Sequence, residues 1–213
     1  MKSTLVNMVA VLFGITLVAS AGVGAVHMVT AEPIAQAEAA AKVAALERVL
    51  PAFERTESET VTRDEMPITV YTATQGADVV GYAVETMSKN GFGGPISLMV
   101  GFSPAGEVLN VNVLKQTETP GLGTKMADEG NPLLASFEGR NPADMKLAVR
   151  KDGGDVDALT AATISSRAYV DAMSRAYAAL VEVRDGETVR DGVSGASQQS
   201  ANEPEAQEGG QNE

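Results

Sequence analysis

The sequence predicts an α+β protein: a single N-terminal transmembrane helix followed by one exported domain with an antiparallel sheet and flanking helices. Three observations predict it. Residues 5–28 form an apolar run without a formal charge, β-patterned segments follow between residues 67 and 114, and an amphipathic run begins near Ile164. The chain has 213 residues and a formal charge of -12. Setting its two ends aside leaves about 150 residues, which suits one globular domain.

Each element follows from the residues in turn. The run "LVNMVAVLFGITLVASAGVGAVHM" spans residues 5–28. At about 1.5 Å per residue it is long enough for a hydrocarbon core of about 30 Å. Lys2 precedes it, and the first charges after it are Glu32 and Glu38; this predicts a cytoplasmic N-terminus and an exported remainder. The small residues of "VASAGVGA" also fit a cleaved signal peptide. The length of the run favours a retained anchor, and either reading exports the domain. Residues 29–66 read as a helical linker and loop. "AQAEAAAKVAALERVLPAF" is rich in helix formers, with Val43, Leu46, Leu50 and Phe53 on one stripe, so a helix ends near Pro51. The polar stretch 54–66 reads as a turn or loop.

The domain proper is expected over 67–183. "PITVYTAT" and "DVVGYAVETM" are strands separated by a turn at Gln75-Gly76. "GPISLMVGF" and "EVLNVNVL" flank Ser103-Pro104-Ala105-Gly106, a hairpin signal. Strict alternation places Val108, Asn110, Asn112 and Leu114 on one face, with Leu109, Val111 and Val113 on the other. "KQTETPGLGTKM" is too irregular for a strand or helix interior. "DEGNPLLASFEGR" predicts a short helix with Leu133, Leu134 and Phe137 inward, "MKLAVR" a further strand and "KDGGD" a turn. Ile164, Ala168, Ala172, Met173, Ala176, Tyr177 and Leu180 form the stripe of a helix running to about Val183. Residues 184–213 are acidic, with two valines as their only large apolar residues, and are expected to be disordered.

Composition excludes several chemistries. The acidic balance argues against nucleic acid as partner. Without cysteine there is no thiolate-ligated iron–sulfur cluster, disulfide or thiol nucleophile. The one histidine, His27, lies at the end of the apolar run, so the domain has no imidazole for a catalytic triad or a zinc or haem site. No metal ligands and no catalytic residues are expected. "GFGGP", residues 91–95, reads equally as a tight turn into a strand or as a ligand-facing loop.

The densest cluster of candidates is "DALTAATISS", residues 157–166. Hydroxyls at a helix start are ordinarily N-caps, and Thr163, Ser165 and Ser166 are all placed to cap. The alternative is a phosphate site at the positive end of the helix, with Ala161 and Ala162 leaving the approach open.

The same ten residues resemble the flavinylation motif D-x-x-S/T-G/A-A-T-x-S/T-S, in which the last threonine carries FMN through a phosphoester bond. "YAVET" (82–86), "GFGGPISLMVGF" (91–102), "TETPGLGTKM" (117–126) and "KDGGDVDALTAAT" (151–163) are similar to the covalent FMN-binding domain family. With the N-terminal run included, the pattern resembles the G subunit of the Rnf electron transport complex. The resemblance implies an FMN-binding domain over 67–183 with FMN on Thr163. It also implies a flavin-carrying electron-transfer subunit of a complex that couples ferredoxin:NAD electron transfer to sodium-ion or proton translocation. This chain is then one subunit of a translocase, without a complete active site. Its partners are the other subunits, the membrane through one helix, and a flavin transferase that takes FMN from FAD with Mg²⁺.

By resemblance the loop containing Glu118, Thr119, Gly121, Leu122 and Gly123 lies near the flavin; a purely structural loop is the alternative. Thr160 and Ser165 either bind the phosphate or cap the helix. Asp157 either orders the preceding turn or is read by the transferase. The sequence departs from the common S-G-A-T in having Thr160-Ala161-Ala162-Thr163, and Ala161 disfavours a left-handed conformation that glycine would accept. The neighbouring readings are the C subunit of a sodium-translocating NADH:quinone reductase and a membrane-anchored binding domain without cofactor. A threonine hydrolase is disfavoured, since only Lys125 and Lys151, in turn-like patterns, stand in for the missing histidine.

Overall fold

A computed structural model describes residues 5–186. Its sheet has five strands in the order β1-β2-β3-β4-β5, a simple antiparallel meander. The strands are β1 (Arg55–Arg63), β2 (Met66–Gln75), β3 (Asp78–Ser88), β4 (Ile96–Phe102) and β5 (Val108–Lys115). Helix α1 (Leu5–Val49) precedes the sheet; α2 (Pro132–Phe137) and α3 (Thr163–Asp185) follow it. Two-sided alternation explains the layering. Ile68, Val70, Val84, Leu98, Val100 and Phe102 face α3 and join its Ala168, Tyr169, Ala172, Met173, Ala176 and Leu180 in the main core. Ala73, Ala83 and Met99 face the opposite way, against Ala45, Leu46, Val49 and Leu50 at the end of α1. Full burial of one such Leu or Met contributes about 2 kcal/mol.

The apolar run and the linker helix form one continuous element, about 68 Å long at 1.5 Å per residue. It is the one helix among the described residues that is long and apolar enough to cross a membrane, and its most apolar window is buried nowhere in the domain. The expected stripe is shifted: Val43 is exposed, and Ala45 and Val49 take its place beside Leu46 and Leu50. The docking is close. A Cβ on Gly101 would overlap the Val49 carbonyl oxygen, and one on Gly81 would stand 2.9 Å from the Phe102 carbonyl oxygen and 3.1 Å from Leu50 Cδ2. Polar ties reinforce it. Lys42 Nζ lies 2.8 Å from Glu85, which also accepts from Tyr71 Oη at 3.2 Å. Asn110 donates to the Arg48 carbonyl.

Several expectations are corrected. Residues 54–66 are not a loop: Arg55–Arg63 is a nine-residue edge strand, so the sheet starts ahead of residue 67. Its β-branched Thr56, Thr60, Val61 and Thr62 suit a strand, and its polarity reflects an edge position exposed over most of its length. "MKLAVR" is no strand. Only an isolated parallel bridge joins Val149 to Val156, and the Lys146 N–H is spent on the Asp155 carboxylate. Val108 packs with Val111 and Val113, not with Leu114, because the pairing skips Leu109 between Phe102–Val108 and Gly101–Asn110. Leu134 is half-buried, while Leu133 and Phe137 are fully inside. Ile164 falls outside the stripe of α3, with 47% of its surface exposed. The tail from residue 187 onward lies outside the described residues.

Candidate functional site

Two loop segments meet the start of α3, and Glu118 joins all three. Its side chain is only 5% exposed. One carboxylate oxygen accepts from the Gly93 N–H at 3.1 Å, and the other accepts from Ser165 Oγ at 2.5 Å. Gly93, at the entry to β4, and Ser165, in the first turn of α3, are thereby held on one carboxylate. Glycines make this approach sterically feasible. A Cβ on Gly93 would overlap the Thr117 carbonyl oxygen, and one on Gly123 would stand 2.7 Å from both Ser165 Oγ and Glu118 Cβ. Thr117 Oγ1 adds a bond of 2.9 Å to the Gly93 carbonyl.

The rest of the 118–123 loop is a compact turn. The exposed Thr119 has a carbonyl that accepts from the Leu122 N–H at 3.1 Å. The Gly121 N–H is bonded to Thr124 Oγ1 at 2.9 Å. Gly121 has φ +76, a left-handed conformation natural to glycine. Leu122 precedes the 3-10 turn Gly123–Ala127 and is 39% exposed.

The hydroxyls of "DALTAATISS" do not cap α3. The N-cap is Ala162, without a side-chain hydrogen bond. Thr163 is the first helical residue and is half-buried. Ser165 is committed to Glu118. Ser166, fully buried, donates to the Ala162 carbonyl at 2.9 Å and accepts from the Leu159 N–H at 2.9 Å. The first-turn N–H groups from Thr163 to Ser165 therefore have no side-chain partner, and they carry the positive end of a 23-residue helix. Thr160 is exposed. Ala161 has φ +60, so the position does take the left-handed conformation, here without glycine.

Charge around the helix start is largely self-neutralised. Arg167, one turn beyond Thr163, grips Asp152 with Nε and Nη2 at 2.7 and 2.8 Å. That guanidinium holds the Asp152 carboxyl below the usual carboxylate range. Asp157 is exposed and accepts from Arg150 Nε. Its own N–H is bonded to Ser136 Oγ at 2.9 Å. The described residues contain no group of three or more His, Cys, Asp or Glu placed to hold a metal ion.

This donor set fits a phosphate-bearing group. Uncapped N–H groups suit the phosphate, a hydroxyl stands at the helix start, and glycine-rich loops alongside leave the backbone unobstructed. Residues 91–178 match the FMN-binding domain family. That span starts at the Gly91 loop and ends inside α3, so it takes in all three converging segments. A relative from Shewanella amazonensis, the G subunit of its ion-translocating oxidoreductase complex, is 31% identical over 189 residues, covering 82% of this chain and 87% of its own.

The chain belongs to the G subunit family of ion-translocating oxidoreductase complexes. The G subunit of Shewanella loihica is 42% identical over 115 residues, and that of Haemophilus influenzae 39% over 109. Against these two, the match spans about half the length of each relative (54% and 53%). Thr163 lies two residues before Ser165, and Leu122 precedes Gly123; the structure brings Ser165, Glu118 and Gly123 together. It leaves Thr160 and Thr119 exposed. Sequence reasoning left Gly91, Gly93 and Gly94 undecided; three glycines in four residues was the available signal.

Proposed function

We propose that this chain is the flavin-carrying electron-transfer subunit of its complex, with FMN tethered by a phosphoester to Thr163. The observation that carries the reading is the start of α3. Thr163 opens a long helix whose first turn no side chain caps, beside loops that the Glu118 carboxylate ties together. In the maturation step the Thr163 hydroxyl attacks the FMN phosphorus of FAD. A bond from Oγ to phosphorus forms, the phosphoanhydride bond breaks, AMP leaves and the hydroxyl proton is released. A flavin transferase supplies the Mg²⁺ and the base.

Once bound, FMN supplies the redox chemistry, and the protein supplies position and electrostatics. The first-turn N–H groups of α3 would receive the phosphodiester charge, and the helix dipole would stabilise it by about 0.5–1 kcal/mol. Ser165 and Glu118 fix the helix start against the Gly91–Gly94 and Glu118–Gly123 loops. Thr119, Gly121, Leu122 and Thr160 are exposed and open to contact with the bound group. The tether keeps the flavin from diffusing away on the exported side of the membrane, independently of affinity. The N-terminus is cytoplasmic, α1 is the anchor, and the complex passes electrons between ferredoxin and NAD while other subunits move sodium ions or protons. In-gel flavin fluorescence of denatured protein, co-expressed with a flavin transferase, tests the tether. The parent and Thr60→Ala, a change on the exposed edge strand β1, retain fluorescence, and Thr163→Ala loses it; equal fluorescence in Thr163→Ala would overturn the reading.

A further inference from the structure

Outside α1, four large apolar side chains are strongly exposed among the described residues: Val79, Phe92, Leu122 and Ile164 at 37%, 67%, 39% and 47%. Their distribution is uneven. Val79 lies at the start of β3, near the Gln75–Asp78 turn. The other three each sit next in sequence to a residue packed on the Glu118–Ser165 pair. Phe92 lies between Gly91 and Gly93, and a Cβ on Gly91 would stand 2.7 Å from a Glu118 carboxylate oxygen that the Gly93 N–H already reaches. Leu122 precedes Gly123, and Ile164 precedes Ser165.

Exposure here is a product of a rigid framework. Glycine on each side of Phe92 puts the backbone hard against the 117–118 segment, leaving the ring outside. Ile164 lies in the first turn of α3, where its side chain stays exposed. Three apolar side chains around one buried carboxylate keep apolar area in water at about 25 cal/mol per Å², without helping the fold. They are too few for a protein interface, which needs about 800 Å² per partner. Their extent suits one planar aromatic group, and Ile164 directly follows the threonine that carries the tether.

We infer that Phe92 and Ile164, together with Leu122, form the apolar seat of the isoalloxazine ring. The inference rests on the flavin tether at Thr163 and adds two residues to its site. Phe92 offers a flat face, and aromatic pairs stack favourably beyond their area burial. Ile164 and Leu122 shield the ring edge from water.

The test uses the full-length flavinylated protein in detergent micelles, with FMN on Thr163 first verified by mass. Iodide quenching of flavin fluorescence is measured for the parent, Phe92→Ala, Ile164→Ala, Phe92→Tyr and, as a control, Val79→Ala; free FMN is the reference. The parent is expected to be shielded. Phe92→Ala and Ile164→Ala should raise the quenching constant several-fold towards free FMN, at unchanged flavin content and melting temperature. Phe92→Tyr should retain the shielding, and Val79→Ala should match the parent. A parent as accessible as free FMN, or alanine variants as shielded as the parent, would overturn the inference while leaving the tether intact. Unchanged shielding with weakened association to the rest of the complex would overturn it in favour of a protein contact. Absence of flavin from Thr163 in the parent would overturn the functional reading and this inference with it.

Discussion

Replacing Ser165 with alanine removes one hydroxyl from the point where three segments meet. The Glu118 carboxylate is 5% exposed and has two partners, the Gly93 N–H and Ser165 Oγ. A hydrogen bond to a buried charged group contributes about 2 kcal/mol, and leaving a carboxylate oxygen unpaired away from water costs at least that. Alanine gives back about 0.5 kcal/mol in helix propensity, so the loss dominates. For a domain of this size about 2 kcal/mol corresponds to a fall in melting temperature of about 8 °C. Far-UV circular dichroism of the parent and Ser165→Ala measures it. A double-mutant cycle with Glu118→Gln should give a coupling energy of about 1 kcal/mol or more. A Ser165→Ala melting curve within about 0.5 kcal/mol of the parent, the range of an ordinary surface change, would refute the claim that this bond holds the site together.

Other outcomes follow from the same geometry. Ala161 has φ +60, a conformation costing an L-residue about 1–2 kcal/mol. Glycine loses about 0.5–1 kcal/mol in chain entropy, so Ala161→Gly should raise stability by about 0.5–1 kcal/mol in urea titrations. Gly101→Ala drives a methyl into the Val49 carbonyl; it should cost about 1–3 kcal/mol and expose the segment after Val49 to limited proteolysis. Lys42 is raised above its ordinary 10.5, chiefly by its hydrogen bond to Glu85. A raised base contributes stability below its unfolded value and loses it as pH rises through the folded one. The stability difference between the parent and Lys42→Met should therefore be level at neutral pH and fade above pH 10.5.

Much of the fold was legible because its signals are local. Four strands alternate or carry β-branched runs, the 103–106 turn has Pro and Gly in place, and the stripe of α3 has helical spacing. β1 was hidden because an edge strand exposed over most of its length lacks the buried half of the pattern, leaving only Thr and Val as evidence. The face of Val108 was misassigned because one skipped residue at Leu109 reverses every later assignment, and nothing local announces a bulge. At the candidate site, the spacing of a motif singles out Thr163 in the sequence. The role of Ser165 was not legible there: between cap and phosphate ligand, its hydroxyl instead reaches Glu118, a partner 47 residues away. Only the fold brings that pair together. The left-handed Ala161 illustrates the converse, since the glycine preference at that position is readable even where the residue departs from it.

The most direct test of the central claim is intact mass with peptide mapping of the protein taken from membranes or co-expressed with a flavin transferase. The account predicts a mass increase of one FMN less water, mapped to Thr163 and absent from Thr163→Ala. An unmodified Thr163, under conditions that flavinylate another member of the family, would contradict it.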